Sequence, residues 1–206
     1  NYLVRLLDDE YPQVRECAVS ALVEIGQPAV KYLIRSLSSW NYYVRLCAIN
    51  ILGDIGDANA VEPLKQFLKS YDETLSDSAA TALGKIGDPR AIEPLVDVLE
   101  YPRNEWCNHM PFVQALAELR AVEHLIGIIT LSQEEFITSS QRLRISAASK
   151  ALGKIGDPKA IESLSKVVLS KYYLNGSDAA WALGEIGGPR AAESLIRVLE
   201  EDGYRL

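Results

Sequence analysis

A glycine-centred peptide recurs along the chain and constrains its fold more than any other feature. The unit reads ALGKIGDPRAIEPL at residues 82–95, and related copies precede and follow it. The central glycines are separated by 30, 31, 69 and 31 residues: Gly26, Gly56, Gly87, Gly156 and Gly187. A period near 31 is typical of a two-helix repeat, and the 69-residue spacing accommodates two units plus an insertion.

Each part of the unit has a physical role. Apolar residues at helical spacing precede Gly87, and the alanines among them permit close approach of the next repeat. Gly87 is suited to the left-handed conformation that ends a helix. Asp88 is expected to cap the second helix and Pro89 to occupy its first position. Asp57 and Asp157 hold the same place as Asp88, whereas the turn at Gly26 lacks such a residue.

The repeats predict an all-α fold, a right-handed α–α superhelix of about five to six two-helix units. We expect one solenoid over residues 1–206, with a half repeat at 1–10. The full repeats are placed at about 11–38, 39–70, 71–100, 101–131, 132–170 and 171–206. In the fourth unit, Leu119, Arg120 and Ala121 replace the glycine-aspartate turn.

Composition limits the classes of function. A net charge of −7 and a pI near 5.0 argue against nucleic-acid binding, which needs a basic surface. No apolar run approaches the length of a membrane span, so we expect no membrane partner. Three cysteines, an odd number spread over different repeats, favour a reducing compartment and hence a cytoplasmic protein.

The repeat resembles the short HEAT-like repeats of phycobilin lyases, which attach bilin chromophores to phycobiliproteins. The resemblance rests on the ALGKIGDPRAIEPL unit and on Val-Arg pairs that precede an alanine, at Val14-Arg15 and Val44-Arg45. Two further segments carry it: SSWNYYVRLCA at residues 38–48 and FVQALAELRAVEHLIGII at residues 112–129. It covers nearly the whole chain, although many scaffold proteins have a similar unit.

The resemblance implies a chromophore lyase that holds an open-chain tetrapyrrole, a phycobilin, on a concave face. The bilin is delivered to a cysteine of a phycobiliprotein, where a thioether forms. The implied partners are a phycobiliprotein subunit and, as in a heterodimeric lyase, a second lyase subunit. No tightly bound cofactor is implied, since the phycobilin is the substrate. The implied compartment is the cyanobacterial cytosol or the plastid stroma.

A bilin site needs aromatic faces and cationic groups for two propionates. The insertion at residues 101–111 concentrates such groups, and we expect Tyr101, Arg103 and Trp106 to contact the bilin. His109 is the candidate for proton transfer near neutral pH, and Cys107 for transient covalent holding. The alternative is that this irregular segment only packs against its own repeat.

Three other groups are candidates for bilin contact. The first comprises Trp40, Tyr42, Tyr43 and Arg45; the second, Arg142 and Arg144; the third, Trp181. Each has a structural alternative: Arg45, like Arg15, is at a repeat position where it can pair with an aspartate of a neighbouring turn. Trp181 can fill space beside Gly176, and Arg142 and Arg144 can belong to a solvated helix start. Cys17 and Cys47 share a repeat position and are expected to be small buried core residues.

Other enzyme classes lack their residues here. Deoxyhypusine hydroxylase has this type of repeat but binds two irons through His-Glu pairs, whereas the histidines here, His109 and His124, are in no His-Glu dipeptide. We therefore expect no metal site. The alternative to a lyase is a non-catalytic scaffold or chaperone that binds a protein partner.

Overall fold

The computed structural model describes residues 2–100, 109–130, 138–169 and 176–203. These residues form α-helices joined by short turns, with no strand in the described part of the chain. They belong to two compact units, residues 1–103 and 104–206, which are described separately below.

The first unit contains seven described α-helices, which alternate as second and first helices of successive repeats. They are α1 (Tyr2–Arg5), α2 (Pro12–Ile25), α3 (Gln27–Ser36), α4 (Tyr42–Ile55), α5 (Val61–Lys65), α6 (Glu73–Ile86) and α7 (Ile92–Glu100). The first helices α2, α4 and α6 pack side by side, and α3 and α5 pack against them. The core lies between these two layers.

The second unit repeats the arrangement with six described helices. They are α8 (Met110–Glu118), α9 (Val122–Thr130), α10 (Ser139–Ile155), α11 (Ile161–Leu169), α12 (Gly176–Ile186) and α13 (Gly188–Gly203). The first helices α8, α10 and α12 are neighbours, and α9, α11 and α13 form the second layer. Fully buried leucines of both layers, such as Leu116, Leu125, Leu152 and Leu164, meet between them.

The turns within the repeats confirm the capping prediction. Gly87 has a φ of 74°, and the Asp88 carboxylate accepts a hydrogen bond from the backbone N–H of Arg90 at 2.9 Å. Asp57 and Asp157 cap in the same way. In each case a short 3₁₀ turn, such as Pro89–Ala91, precedes the α-helix. The turn at Gly26 has no side-chain cap, as expected from Gln27.

The degenerate fourth repeat keeps the helix-ending conformation without a glycine. Arg120 has a φ of 52°, in the left-handed region that the glycines occupy in the sister repeats. The backbone N–H of Ala121 donates to the carbonyl of Leu116 at 2.9 Å, which closes α8. A residue with a Cβ is strained there by about 1–2 kcal/mol.

Glycines at one first-helix position allow the closest approach between repeats. A Cβ on Gly53 would lie 2.7 Å from Cα of Ala82, and a Cβ on Gly153 would lie 2.8 Å from Cα of Ala182. Both distances are too short for a real side chain. Hence α4 packs backbone-to-backbone on α6, and α10 does so on α12.

The all-α repeat fold predicted from the glycine period is therefore confirmed. The 3.6-residue periodicity places alanines and leucines in the core, with Ala79, Leu83, Leu95 and Leu99 all buried. The handedness of a superhelix and its continuity over residues 1–206 stay predictions.

Candidate functional site

A groove crosses the first helices of the second unit and brings one predicted site residue, Trp181, together with others that the sequence did not single out. Its volume is about 370 Å³. From α8 it is lined by Met110, Val113 and Gln114. From α10 and α12 it is lined by Ala147, Lys150, Ala151, Lys154, Asp178 and Trp181. We refer to it as the Trp181 groove.

Close helix packing positions the indole of Trp181. Because Gly153 has no side chain, α12 approaches α10, and a Cβ on Gly153 would lie 3.1 Å from Cζ3 of the Trp181 ring. Trp181 is therefore held against α10 yet is 44 % exposed. The sister repeats have Thr81 and Lys150 at this position, so the repeat does not require a large ring there.

The groove combines an apolar floor with cations. Met110 is exposed, although it is a large apolar residue, and the buried Val113 and Ala151 also line the groove. Lys150 forms an ion pair with Asp178, with 3.2 Å between Nζ and Oδ1. Asp178 also accepts a hydrogen bond from the hydroxyl of Ser146. Lys154, one turn beyond Lys150, forms no ion pair within the described residues, so the groove carries a net positive charge.

His109 lies just before α8, and its environment differs from the prediction. Its side chain is only 4 % exposed. Burial, with a smaller contribution from the charge of Arg144, lowers the pKa of His109 to about 4. The imidazole is consequently neutral at pH 7, a state that can accept a proton but not donate one as an acid, and the predicted role of His109 in proton transfer stays a prediction. His109 is not among the residues that line the Trp181 groove.

Arg142 and Arg144 are half-buried in the first turns of α10. Arg144 is near enough to His109 to affect its pKa, but neither arginine is part of the described lining of the Trp181 groove. Tyr101, Arg103, Trp106 and Cys107 lie outside the described residues, and their predicted contacts stay predictions.

In the first unit, the aromatic cluster predicted at residues 40–45 is assembled around an arginine. The rings of Tyr42 and Tyr43 meet edge to face, with 5.6 Å between their centroids. The Arg45 guanidinium lies 5.9 Å from the Tyr42 centroid. Trp40 is 100 % exposed, so its indole projects from the turn without packing against the cluster.

Arg45 has a structural task that the sequence did not predict. Its Nη1 donates to the carbonyls of Ser39, at 2.7 Å, and Trp40, at 3.0 Å. Arg15 donates in the same way to the carbonyls of Asp9 and Glu10. The expectation that these arginines pair with a neighbouring aspartate is wrong: they satisfy carbonyls of the turn before their own helix.

The cysteine expectation needs a similar correction. Cys17 is exposed and Cys47 is half-buried, so neither is a core residue. The buried neighbours in their helices are Ala18 and Ala48. Burial still raises the pKa of the Cys47 thiol and so favours its protonated form. The positive charge of Arg15 has a smaller, opposing effect.

Two negative findings concern the described residues alone. They contain no group of three or more histidine, cysteine or carboxylate side chains that could hold a metal ion. No helix among them is long and apolar enough to cross a membrane.

Stacked helix pairs with glycine-aspartate turns define an all-α repeat protein of the HEAT type. The family model for HEAT repeats matches residues 30–109 and 134–206, and a second model for a single HEAT repeat matches residues 1–28. The chain belongs to the HEAT repeat family. No curated protein sequence matches it.

Solved structures resemble the chain at low sequence identity. One is the complex of CpcE and CpcF of phycocyanin lyase from Nostoc sp. PCC7120, at 19 % identity and a TM-score of 0.53, covering 97 % of this chain and 92 % of that one. Another is Uso1-2, at 11 % identity and a TM-score of 0.52, covering 86 % of this chain and 35 % of that one. Human deoxyhypusine hydroxylase matches at 17 % identity and a TM-score of 0.46, covering 97 % and 91 %.

Proposed function

We propose that the protein is a phycobilin lyase subunit that binds an open-chain tetrapyrrole in the Trp181 groove and delivers it to a cysteine of a phycobiliprotein. The observation that carries the proposal is the exposed indole of Trp181 beside an apolar floor and two lysines. A conjugated pyrrole ring stacks on an indole, and a propionate pairs with an ammonium group.

The dimensions of the groove suit part of such a ligand. Its volume of about 370 Å³ falls within the range of small-molecule sites and leaves the remainder of a tetrapyrrole outside. Lys154 is the stronger candidate for a propionate, because Lys150 already pairs with Asp178. The residues of the groove are suited to holding and orienting a bilin. Thioether formation would then take place at the acceptor cysteine of the phycobiliprotein.

The likeness to the CpcE–CpcF complex supports the choice of partners. That structure is a complex of two proteins of phycocyanin lyase, CpcE and CpcF. By analogy, the partners proposed here are a phycobiliprotein subunit and a second lyase subunit, and the compartment is the cytosol or plastid stroma where these proteins meet.

Co-expression with a bilin-synthesis pathway, followed by visible absorption of the purified chain, tests the proposal. The parental protein is expected to retain bilin. Trp181→Thr, which installs the residue of a sister repeat, is expected to lose most of it. Tyr71→Thr, which removes an exposed aromatic ring outside the groove, serves as the control. Absorption that is absent from the parental protein, or unchanged in Trp181→Thr, would contradict the assignment.

A protein-binding scaffold is the second candidate, and an exposed apolar stripe favours it. On α13, Ile196 and Leu199 are largely exposed. Exposed leucines and isoleucines on one helix face are typical of protein contacts. The scaffold function replaces the lyase function if the purified chain binds no bilin but does bind a purified phycobiliprotein subunit. Leu199→Asp should then abolish the binding between the two proteins.

A further inference from the structure

A charge that the second helices share is reversed in α3. Five of the second helices, α5, α7, α9, α11 and α13, have a glutamate two residues before a leucine, as in Glu93 before Leu95. The residues at this position are Glu62, Glu93, Glu123, Glu162 and Glu193, but Lys31 in α3. That glutamate lies in the first turn of α5, α7, α9 and α11, where the helix dipole favours a negative charge, whereas Lys31 is the fifth residue of α3. The reversal therefore brings no benefit to the helix itself.

The partner of that glutamate is also missing where Lys31 lies. In the second unit, Lys159 of the following repeat pairs with Glu123 at 2.8 Å. The pKa of Glu162 is lowered chiefly by Lys166 and to a smaller extent by Arg190, which again belongs to the next repeat. Facing Lys31, the corresponding residue is the neutral Asn59. Both sides of this junction thus differ from the Glu123–Lys159 ion pair.

Two arginines extend the positive charge around Lys31. Arg35 is one helical turn beyond Lys31 on the same face of α3. Arg5, on the adjacent α1, has the repeat position that Arg35 has in α3. Neither α1 nor α3 contains an acidic residue. Within the described residues, Arg5, Lys31 and Arg35 form no ion pair. Like charges on one surface repel one another, and an anion relieves that repulsion.

Tyr32 lies at the centre of this surface, between two cavities. One, of about 520 Å³, is lined by Arg5, Arg35, Tyr32, Ser36 and Ser39 among others. The second, of about 460 Å³, is lined by Lys31, Tyr32 and Asn59 among others. The Lys31 ammonium lies 4.8 Å from the centroid of the Tyr32 ring.

One carboxylate lines each cavity, and each already accepts hydrogen bonds. Asp8 accepts from the side-chain amide of Asn41. Asp57 accepts from the backbone N–H and the side-chain amide of Asn59, both at 2.8 Å. Both carboxylates keep their negative charge, but within the described residues neither forms an ion pair with Arg5, Lys31 or Arg35. Three cations against two carboxylates leave a net positive charge for an incoming anion.

We propose that Arg5, Lys31, Tyr32 and Arg35 form a binding site for a small polyanion with an anionic group on each side of the Tyr32 ring. The chemical class is a phosphate ester or anhydride, or a polycarboxylate. The arginines bind one anionic group through paired N–H donors, and Lys31 binds the other as a point charge. The site lies in the first unit, and the proposal does not rest on the Trp181 groove.

Isothermal titration calorimetry of the full chain with pyrophosphate and with citrate tests the site. We expect saturable binding of at least one probe, with an affinity that falls as salt is added. Lys31→Glu, which restores the residue of the sister repeats, and Arg35→Gln are each expected to weaken binding by about tenfold or more. Lys159→Gln, a lysine at a sister junction, is the control and is expected to bind as the parental protein does.

The two probes separate the sources of the anion. Tighter binding of pyrophosphate assigns a phosphate ligand, and tighter binding of citrate assigns a polycarboxylate. Circular dichroism of each variant establishes that it is folded. The site is refuted if neither probe saturates below about 10 mM, or if Lys31→Glu and Arg35→Gln bind like the parental chain.

Discussion

Single residues in the turns act mainly by satisfying backbone groups. Asp157 caps α11 by accepting from the backbone N–H of Lys159 at 2.9 Å. Arg15 and Arg45 donate to carbonyls of the preceding turn, and in the third repeat the Ser76 hydroxyl donates to the carbonyl of Leu68 at 2.7 Å. An arginine or a serine can therefore serve the same repeat position, because each places a donor at an otherwise unpaired carbonyl.

Asp157→Ala should lower the free energy of unfolding by about 0.5–2 kcal/mol, since the cap of α11 is lost. Urea unfolding followed by circular dichroism measures the change. Gln27→Ala is the matched control, because α3 has no side-chain cap and little should change. Equal effects of the two substitutions would show that the cap adds nothing to stability.

Arg120→Gly should raise the free energy of unfolding by about 1 kcal/mol, because glycine adopts a φ of 52° without the penalty of a Cβ. Arg120→Ala keeps the Cβ and is expected to give no such gain. Thermal and urea unfolding of the pair measure the difference. A gain in both variants would instead point to removal of the arginine charge.

The sequence predicts some residue roles better than others. The caps at Asp57, Asp88 and Asp157 follow from local chemistry, since the acceptor and its donor are two residues apart. The role of Arg45 depends on carbonyls five and six residues away, which a repeat pattern does not reveal. The exposure of Cys17 depends on which face of α2 meets α4, and its neighbour Ala18 occupies that face instead.

At the scale of helices, glycine sets how closely the repeats pack. Gly53 and Gly153 lie directly against the alanines of the next first helix. Gly184, at the same repeat position in α12, has nothing within 4 Å of a Cβ built upon it. The sequence shows these three glycines, together with Gly84, in one register. Only the structure shows that their surroundings differ.

This contrast predicts opposite effects of one substitution. Gly53→Ala should destabilise the protein by about 1–3 kcal/mol, because the new methyl group collides with Ala82. Gly184→Ala should stabilise it by up to about 1 kcal/mol, because alanine is the better helix former and the space is open. Urea unfolding of both variants measures the signs, and loss of stability in both would show that the position at Gly184 is also filled.

Considering the whole molecule, the candidate ligand surfaces arise where different repeats meet. The sequence identified Trp181 because its size departs from the sister repeats, but it did not identify Met110 or Lys154. Those residues are ordinary within their own helices and become notable only when α8, α10 and α12 lie together. Lys31 can be recognised from the sequence alone, because aligning the second helices shows a lysine where the others have a glutamate.

The response of the whole protein to acid should show two steps. The pKa of His109 is about 4 in the folded state against 6.5 for an ordinary histidine, because burial disfavours the imidazolium. The unfolded chain therefore takes up this proton first, so the stability that neutral His109 provides above pH 6.5 is lost as the pH falls toward 4. The pKa of Asp88 is about 2, against 3.8, chiefly because of its hydrogen bond to the Arg90 side chain. Its smaller, salt-screened contribution is lost between pH 3.8 and 2.

Urea unfolding at a series of pH values measures these steps, with the slope of stability against pH as the readout. His109→Gln should flatten the slope between pH 6.5 and 4, whatever its effect on stability at pH 7, because glutamine binds no proton. His124→Gln is the control, because it replaces the other histidine of the chain in the same way. A slope in His109→Gln as steep as in the parental protein would mean that another group takes up the proton, and that His109 remains accessible enough to titrate normally in the folded state.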